Sequence, residues 1–459
     1  MIMTTLIIKD NGLKSKSEFG ELRELTNKIA DKTLAHLEQE GIFVFPELVK
    51  NAKDISREQM ILRSINKDYQ SSNVMGFLGF GIDRLVIASR FSNGSNDYFF
   101  QYLLEKVLDV PNIMDLNTDA NQDNRIFNLL LFLFPYFLKL AMRKGVFKTY
   151  IQNQYNDGNV KGSIDIGRHI TNNIPFTGRV AYNMREFSYD NYLMELIRHT
   201  MEFIKKKPYG NNLLKKMNDE VTLVIQVTQN YKYYDRRKVV MENKKNPIRH
   251  AYYHEYRALQ RLCIMILQHD KHQIGSGNQQ VHGILFDGAW LWEEYIHSLI
   301  GDLFYHPMNK EGKGAQRLFS TLQEGKIGLI YPDFINKDTN NRIIADAKYK
   351  PINNIGNKDY LQVLAYMFRF DANQGLYLYP EKNNLDNLTL MMNSGSTYES
   401  NVLKRDNISV MKCGLQIPTD INSYDDFVEK MKLSETNFLN ILGSQRKNNI
   451  INIDQSLPL

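Results

Sequence analysis

Two short apolar runs separated by a polar turn constrain the fold of this chain more than any other feature of its sequence. The runs cover residues 328–335 and 342–349, are rich in Ile, Tyr and Phe, and flank the polar residues 336–341. This pattern predicts a β-hairpin. A hairpin folded symmetrically about positions 339 and 340 pairs Asp333 with Asp346.

The two aspartates are expected to face each other across this hairpin. Directly opposed side chains on antiparallel strands have Cβ atoms about 4.5–5.5 Å apart, and like charges there repel. Mg²⁺, which is often held by one or two carboxylates, would relieve that repulsion. Lys348 lies two residues after Asp346 and so on the same strand face, where a cation can neutralise charge that develops on a phosphate. Taken alone, these residues leave two interpretations open, a metal site and a surface hairpin with an incidental Asp–Lys pair.

Length and composition are those of a globular protein with more than one domain. The chain has 459 residues, of which 43% are hydrophobic and 11% aromatic, enough for two or three domains. Its net charge of +6 permits nucleic-acid binding. The two cysteines, Cys263 and Cys413, are too few for a disulfide framework. A reducing cytoplasm is therefore the expected location.

Several classes of protein are disfavoured by the sequence. The opening residues MIMTTLIIKDNG lack the basic leader and apolar core of a signal peptide. The most apolar run, residues 129–138, is too short to span a bilayer and predicts a buried helix that is kinked at Pro135. No GxxxxGK[ST] motif occurs, so the chain is not expected to hydrolyse a nucleoside triphosphate by itself.

The order of patterns along the chain predicts a mixed α/β fold in three consecutive segments. Residues 1–156 form a mixed α+β region, residues 157–278 a mainly helical segment, and residues 279–459 a small α/β sandwich with the acidic hairpin near its centre.

Apolar residues near the N-terminus recur at helical spacing. They predict one continuous helix that Gly41 ends, with an apolar face formed by Leu22, Leu25, Ile29, Ala30, Leu34 and Leu37.

The positive charge is concentrated in one part of the helical segment. Residues 201–261 contain 14 Lys and Arg against 6 Asp and Glu. Tyrosines are interleaved with this charge, as on a surface that contacts a phosphate backbone, at Tyr231, Tyr233, Tyr234, Tyr252, Tyr253 and Tyr256. A DNA-contacting surface and an ordinary solvated helical face are both compatible with the pattern.

Residues on either side of the hairpin extend the acidic motif. Glu293 lies on the preceding predicted helix, and Gln362 and Tyr366 lie one turn apart on the following one. The order Glu, PD, DxK, QxxxY resembles the PD-(D/E)xK nuclease superfamily, in particular its branch with a QxxxY helix. The resemblance implies a nuclease domain for residues 279–459.

Longer stretches resemble the McrC family, the nuclease subunits of McrBC-type restriction systems. LWEEYI at 291–296 is similar to that family's LFExYV helix, with Trp292 where Phe is usual. LIYPDFI and IIADAKYK are similar to its two active-site strands, and DYLQVLAYM to its following helix. Upstream, VKGSIDIGRHI and EFSYDNYLMELIRHTMEFI resemble further family segments.

This resemblance implies a role for each matching residue. Asp333 and Asp346 are expected to bind Mg²⁺ or Mn²⁺, with Glu293 as a further ligand or supporting acid. Lys348 is the expected catalytic lysine, and Gln362 and Tyr366 are expected to line the site. The implied reaction is metal-dependent hydrolysis of phosphodiester bonds in double-stranded DNA, methylated or unmodified.

The resemblance also implies a partner. McrC-like subunits dock on a hexamer of a McrB-like AAA+ GTPase, which uses the GTP, so the N-terminal region is expected to bind that ring and stimulate it. Two other functions remain open. One is a free-standing RecB-like DNA repair nuclease, and the other is a non-catalytic regulator of an AAA+ ring.

Overall fold

The structure is a computed structural model that describes residues 5–40, 42–45, 58–80, 83–92, 97–108, 122–207, 210–215, 217–272, 281–307, 314–320, 327–382, 387–395 and 402–454. Its strands are β1 (Thr5–Lys9), β2 (Leu13–Ser15), β3 (Ile42–Phe45), β4 (Leu62–Ile65), β5 (Asp68–Ser71), β6 (Val74–Phe80), β7 (Asp83–Ala88), β8 (Thr149–Asp157), β9 (Ser163–Ile164), β10 (Val180–Ser188), β11 (His282–Asp287), β12 (Phe304–Tyr305), β13 (Gln316–Arg317), β14 (Leu329–Ile330), β15 (Phe334–Asn336), β16 (Ile343–Ala347), β17 (Gln374–Glu381), β18 (Leu388–Gly395) and β19 (Val402–Gln416).

The structure also contains helices. They are α1 (Arg23–Ile29), α2 (Leu34–Glu40), α3 (Tyr98–Leu108), α4 (Gln122–Met142), α5 (Ile166–Asn173), α6 (Tyr192–Lys205), α7 (Gly210–Lys215), α8 (Asn218–Val227), α9 (Arg236–Lys245), α10 (His254–His272), α11 (Gly288–Ile300), α12 (Asn357–Arg369) and α13 (Tyr424–Asp454), with short 3₁₀ turns at Lys16–Leu22, Tyr233–Asp235 and Ile352–Asn354. The predicted mixed α/β class is confirmed.

The chain divides into two compact units. One combines residues 1–114 with residues 278–459, and the other comprises residues 115–277. The three-segment prediction kept the N-terminal and C-terminal regions apart, whereas strands from both share one sheet of the first unit. That pairing between distant parts of the chain has no signal in local sequence pattern.

The shared sheet has five strands in the order β1-β7-β6-β11-β3. β11 is antiparallel to β6 and parallel to β3. Gly76 in β6 has a φ of +139°, and a Cβ there would lie 2.1 Å from the carbonyl oxygen of Ile284 in β11, so glycine is needed where these two backbones approach. The core beneath the sheet includes Leu25, Leu37, Leu78, Leu85 and Leu285.

The prediction of one continuous N-terminal helix is wrong, and Gly41, which was expected to end that helix, lies outside the described residues. α1 ends at Ile29 and α2 begins at Leu34, because Ala30 forms a bridge with Leu62. Asp31, at a φ of 57°, turns the chain and accepts a hydrogen bond from the backbone of Ser64. The predicted apolar residues are nevertheless in the core, since Leu22, Leu25, Ile29, Leu34 and Leu37 are at most 1% exposed.

A six-stranded sheet forms the C-terminal part of the first unit. Its order is β12-β15-β16-β17-β19-β18, with β15 antiparallel to β16 and β17 parallel to both β16 and β19. Helix α12 packs on it through Val363 and Met367, which share a core cluster with Ile344 and Tyr377. Helix α11 is fixed by Trp292, whose indole N–H donates to the carbonyl oxygen of Leu378 in β17 at 2.9 Å.

The second unit is mainly helical, with the three-stranded sheet β8-β10-β9. Helices α6 to α10 lie within the predicted helical segment, residues 157–278. Helix α4 contains Pro135, and Leu131, Phe134 and Leu138 in it are buried, as the apolar run predicted. Within the described ranges, no helix has both the length and the hydropathy needed to cross a membrane.

Candidate active site

The acidic hairpin has the symmetric register that the sequence predicted. Phe334 pairs with Ala345 and Ile335 with Ile344, and one further step places Asp333 opposite Asp346. The backbone N–H of Ala347, the residue after Asp346, donates a hydrogen bond to Asp333 Oδ2 at 2.9 Å. The two aspartates are therefore brought together at the start of β15 and the end of β16.

The first apolar run of the hairpin is not one strand. Leu329 and Ile330 form β14, which pairs with β13 in a separate two-stranded sheet, and β15 begins only at Phe334. Pro332 lies between them and has no backbone N–H to continue a ladder. As a result, Asp333 stands just before its strand and not within it.

Burial makes this pair of carboxylates electrostatically unusual. Asp346 is 0% exposed. Burial raises the pKa of Asp333 well above its ordinary value, and the charges of Asp346 and Glu293 raise it further. Burial also raises the pKa of Asp346, although the Lys348 ammonium acts in the opposite direction. Ionisation of both carboxylates is therefore costly at this position unless a cation is bound nearby.

Lys348 supplies one of the compensating positive charges. Its Nζ lies 2.6 Å from Asp346 Oδ2 and 3.9 Å from Asp359 Oδ1. Burial lowers the pKa of Lys348, but the charges of Asp346 and Asp333 outweigh that effect and the pKa is raised overall. The raised pKa favours the protonated, positively charged form of this lysine.

The QxxxY residues of α12 reach the same place. Lys348 Nζ donates to Gln362 Oε1 at 3.5 Å, and Gln362 Nε2 donates to the hydroxyl of Tyr366 at 2.6 Å. Burial raises the pKa of Tyr366 to about 12, so its hydroxyl stays protonated. Gln362 thus connects the lysine to the tyrosine.

Glu293 approaches the pair from helix α11. It is buried, and its negative charge is one of the causes of the raised pKa of Asp333. Its Oε1 also lies 3.7 Å from His306 Nε2. The structure therefore brings together all six residues that the sequence singled out, Glu293, Asp333, Asp346, Lys348, Gln362 and Tyr366.

Two neighbouring residues were missed by the sequence analysis. Asp359 pairs with Lys350 at 2.7 Å and lies three residues before Gln362, on the same helical face, a spacing that offered a signal. His306 Nδ1 donates to the backbone carbonyl oxygen of Asp333 at 2.8 Å. No sequence motif marks His306, because it reaches Asp333 only through the pairing of β12 with β15.

The donor atoms at this site suit a hard divalent cation. Both carboxylate oxygens of Asp346 are buried; Oδ2 is paired with Lys348 Nζ at 2.6 Å, and Oδ1 has no hydrogen-bond partner among the described residues. Asp333 and Glu293 add further carboxylate oxygens nearby, and Mg²⁺ and Mn²⁺ favour oxygen ligands. These residues fit such an ion.

Fold and site together define a mixed α/β protein with a buried pair of carboxylates and a lysine at the end of a central strand. Among solved structures it is similar to McrC in a refined half-complex of the tetradecameric assembly of Thermococcus gammatolerans McrB AAA+ hexamers, with 13% identity, a TM-score of 0.46, and coverage of 96% of this chain and 100% of that chain. The cryo-EM structure of the Thermococcus gammatolerans McrBC complex matches with 12% identity, a TM-score of 0.32, and coverage of 65% and 87%. Among curated proteins, none matches significantly.

A family model matches the larger part of the sequence. It is McrBC, described as the McrBC 5-methylcytosine restriction system component, and it covers residues 69–380. The matched range includes the acidic hairpin and both flanking helices, α11 and α12. The chain belongs to the McrBC family, which confirms the resemblance predicted from the motifs.

Proposed function

We propose that this chain is the DNA-cleaving subunit of a GTP-dependent McrBC-type restriction complex. The observation that carries the proposal is the buried pair Asp333 and Asp346 with Lys348 Nζ 2.6 Å from the second carboxylate. Family membership supports a role in a restriction system. A surface hairpin would expose these charges, whereas here Asp346 is 0% exposed.

Asp333 and Asp346, with Glu293 beside them, would hold Mg²⁺ or Mn²⁺. Such an ion lowers the pKa of a bound water and screens the negative charge of a phosphate. The aspartates contribute by presenting carboxylate oxygens that are buried and hydrogen-bonded to little else. Their position is set by the strand register and by the Ala347 N–H that binds Asp333.

Lys348 stabilises the charge that develops on the phosphodiester during attack by water. Its ammonium is kept protonated by the neighbouring aspartates and is partly removed from solvent, so its electrostatic effect on a bound phosphate is larger than in water. Gln362 orients the ammonium by accepting a hydrogen bond from Nζ. Tyr366, whose hydroxyl oxygen accepts from Gln362, retains its own hydrogen to donate to a DNA phosphate.

The proposed partner is an AAA+ GTPase of the McrB kind. In the Thermococcus gammatolerans structure, McrC is bound to McrB AAA+ hexamers. The sequence of this chain has no P-loop motif, which supports a division of labour in which the partner binds and hydrolyses GTP. The basic helical segment 201–261 is the proposed DNA-contacting surface.

The test mixes the purified chain with its McrB-like GTPase, Mg²⁺, GTP and either methylated or unmodified DNA. The decisive variant is Asp346→Asn, which keeps the shape of the side chain and removes the charge. Cleavage is expected to need both proteins and GTP, and to fall by at least about 10³-fold in the variant. Circular dichroism of the variant serves as the control for folding.

Each other result favours a different function. Equal cleavage by wild type and Asp346→Asn would remove the hairpin from the chemistry. Cleavage by this chain without the GTPase would favour a free-standing repair nuclease. Stimulation of GTP hydrolysis without any DNA cleavage would favour a regulator of the ring.

A further inference from the structure

A second group of metal-ligating side chains lies beside the acidic hairpin. Glu294, His297 and His306 each offer one ligand atom, and these atoms all lie within 4.8 Å of one another. All three residues are half-buried. The sequence analysis singled out none of them.

The backbone places these side chains together from two directions. Glu294 and His297 are three residues apart on α11 and share a helical face. His306 follows β12, and its ring packs on Phe334 with centroids 5.0 Å apart and on His297 with centroids 4.7 Å apart. Both imidazoles are therefore held by packing.

A hydrogen bond fixes which nitrogen of His306 is available. A carbonyl oxygen can only accept, so Nδ1, at 2.8 Å from the carbonyl oxygen of Asp333, must carry a hydrogen. In the neutral ring this leaves the lone pair on Nε2, which lies 3.9 Å from Glu294 Oε1 and 3.7 Å from Glu293 Oε1. Metal-binding histidines ordinarily donate their other ring N–H to a carbonyl or carboxylate in this way.

We propose that Glu294, His297 and His306 form a second cation site, selective for a nitrogen-preferring first-row divalent ion of the Zn²⁺ type. Two imidazoles and one carboxylate are a ligand set for Zn²⁺ and its neighbours, whereas Mg²⁺ prefers oxygen ligands alone. The site is thus chemically distinct from the all-oxygen pair Asp333 and Asp346.

The required movement is small. Nitrogen and oxygen ligands about 2.1 Å from a tetrahedral ion lie about 3.4 Å apart, so ligand atoms now within 4.8 Å of one another close by at most about 1.4 Å. Side-chain rotation of Glu294 supplies this movement, because its side chain is 32% exposed. Binding would join α11 to the backbone segment that carries Asp333, through His306.

The experiment measures Zn²⁺ binding to the full chain after removal of metals with a chelator. The unmodified chain is titrated first. Every other protein carries Asp346→Asn, so that the acidic pair does not contribute its own binding, and Mg²⁺ is present in excess throughout. His297→Phe is then added, because phenylalanine keeps an aromatic ring against His306 and Phe334 but offers no ligand. The matched control is His250→Phe, at an exposed histidine of the other unit.

Binding is measured by isothermal titration calorimetry, with Zn²⁺ as the titrant. The Asp346→Asn chain binds one Zn²⁺, His250→Phe leaves that affinity unchanged, and His297→Phe weakens it by at least about 100-fold, since the loss of even a supporting partner of a metal ligand weakens binding by about 10–100-fold. With Co²⁺ in place of Zn²⁺, a visible absorption band of a nitrogen-ligated ion should appear and disappear with the same variants.

Three results would overturn the proposal. The first is that the unmodified chain binds Zn²⁺ and the Asp346→Asn chain does not. The second is that neither chain binds Zn²⁺. The third is that binding by the Asp346→Asn chain persists when His297→Phe is added. Because the readout is binding and not DNA cleavage, failure here leaves the proposed nuclease function untouched, and failure of the nuclease test leaves this site untouched.

Discussion

The acidic hairpin and the basic segment 201–261 are both rich in charged residues, but they differ in the solvent exposure of those charges. At the hairpin, Asp346 is 0% exposed and Lys348 Nζ is paired with it at 2.6 Å. In the basic segment, Arg237 and Lys245 are exposed. Charges in a buried site interact strongly and shift one another's pKa, whereas exposed charges are screened. Burial therefore separates residues suited to chemistry from residues suited to attracting a polyanion.

The tyrosines of the basic segment divide in the same manner. Tyr233, Tyr234 and Tyr252 are 54–76% exposed, as a surface for DNA requires. Tyr256 is 0% exposed, and its hydroxyl donates to the carbonyl oxygen of Gly145. It belongs to the core of its unit, so the stacking surface that the sequence suggested is smaller than expected.

Among substitutions that test this difference between the two regions, the largest loss of DNA cleavage is expected at Lys348. Lys348→Met should reduce DNA cleavage by about 10²–10³-fold, because it removes a desolvated cation that stabilises charge on the phosphate. The rate is measured under single-turnover conditions with saturating GTPase partner and GTP.

Lys350→Met is the matched control for Lys348→Met. Lys350 pairs with Asp359 at 2.7 Å and is the more exposed of the two lysines, so its loss should change the rate by no more than about 3-fold. Equal losses in both variants would mean that total positive charge near α12, and not the position of Lys348, determines the rate.

A smaller effect is expected for the residue that orients the lysine. Gln362→Ala should slow cleavage by about 10-fold without weakening DNA binding, because it removes a hydrogen bond to Nζ while leaving the charge in place. Cleavage rate and DNA affinity are measured separately. Leu361→Ala, at a 69% exposed position of the same helix, should change neither, and a drop in affinity alone for Gln362→Ala would contradict the orienting role.

In the basic segment, single substitutions should alter affinity and leave chemistry alone. Arg237→Ala should weaken DNA binding by a few-fold at 0.1 M salt and reduce the slope of log affinity against log salt by about 1, as expected for one lost phosphate contact. Fluorescence anisotropy at several salt concentrations measures both. Lys67→Ala, at an exposed position of the other unit, is the control, and an unchanged salt slope in Arg237→Ala would argue against phosphate contact there.

The smallest expected effect tests Glu195, a carboxylate of the helical unit whose pKa is raised. Burial, followed by the charges of Asp190 and Asp235, raises the pKa of Glu195 from 4.5 to about 7. Between these two pH values the folded protein binds more protons than the unfolded chain, so the free energy of unfolding falls as pH rises through the window.

Glu195→Gln should remove this part of the pH dependence. The free energy of unfolding should fall more in wild type than in the variant between pH 4.5 and pH 7. Because Glu195 is only half-buried, this difference should be on the order of 1 kcal/mol. Urea denaturation at the two pH values measures it. Parallel pH profiles for wild type and variant would show that Glu195 titrates alike in both states.

The parts of the site that sequence could predict are those set by local periodicity. The hairpin register follows from a polar turn between two apolar runs, and the helical spacing of Gln362 and Tyr366 places them on one face. Both are found as predicted. The catalytic and metal-binding roles of these residues stay predictions.

What sequence did not predict depends on contacts between distant residues. His306 reaches Asp333 because β12 pairs with β15, and the N-terminal helix breaks because Ala30 bridges to Leu62. Residues 1–114 and 278–459 join in one unit because β11 inserts between β6 and β3. None of these pairings has a period or a turn motif to mark it.

The position of β11 has a consequence for how the protein is made. β3, from the first 45 residues, pairs only with β11 among the described strands, and β11 is separated from it by more than two hundred residues. On a ribosome, β3 therefore stays unpaired with β11 until residue 287 has emerged. By then the helical unit, residues 115–277, has already been synthesised. Long-range pairing of this kind is slow and exposes strand edges, so synthesis of this chain is expected to be the stage at which it is most prone to aggregate.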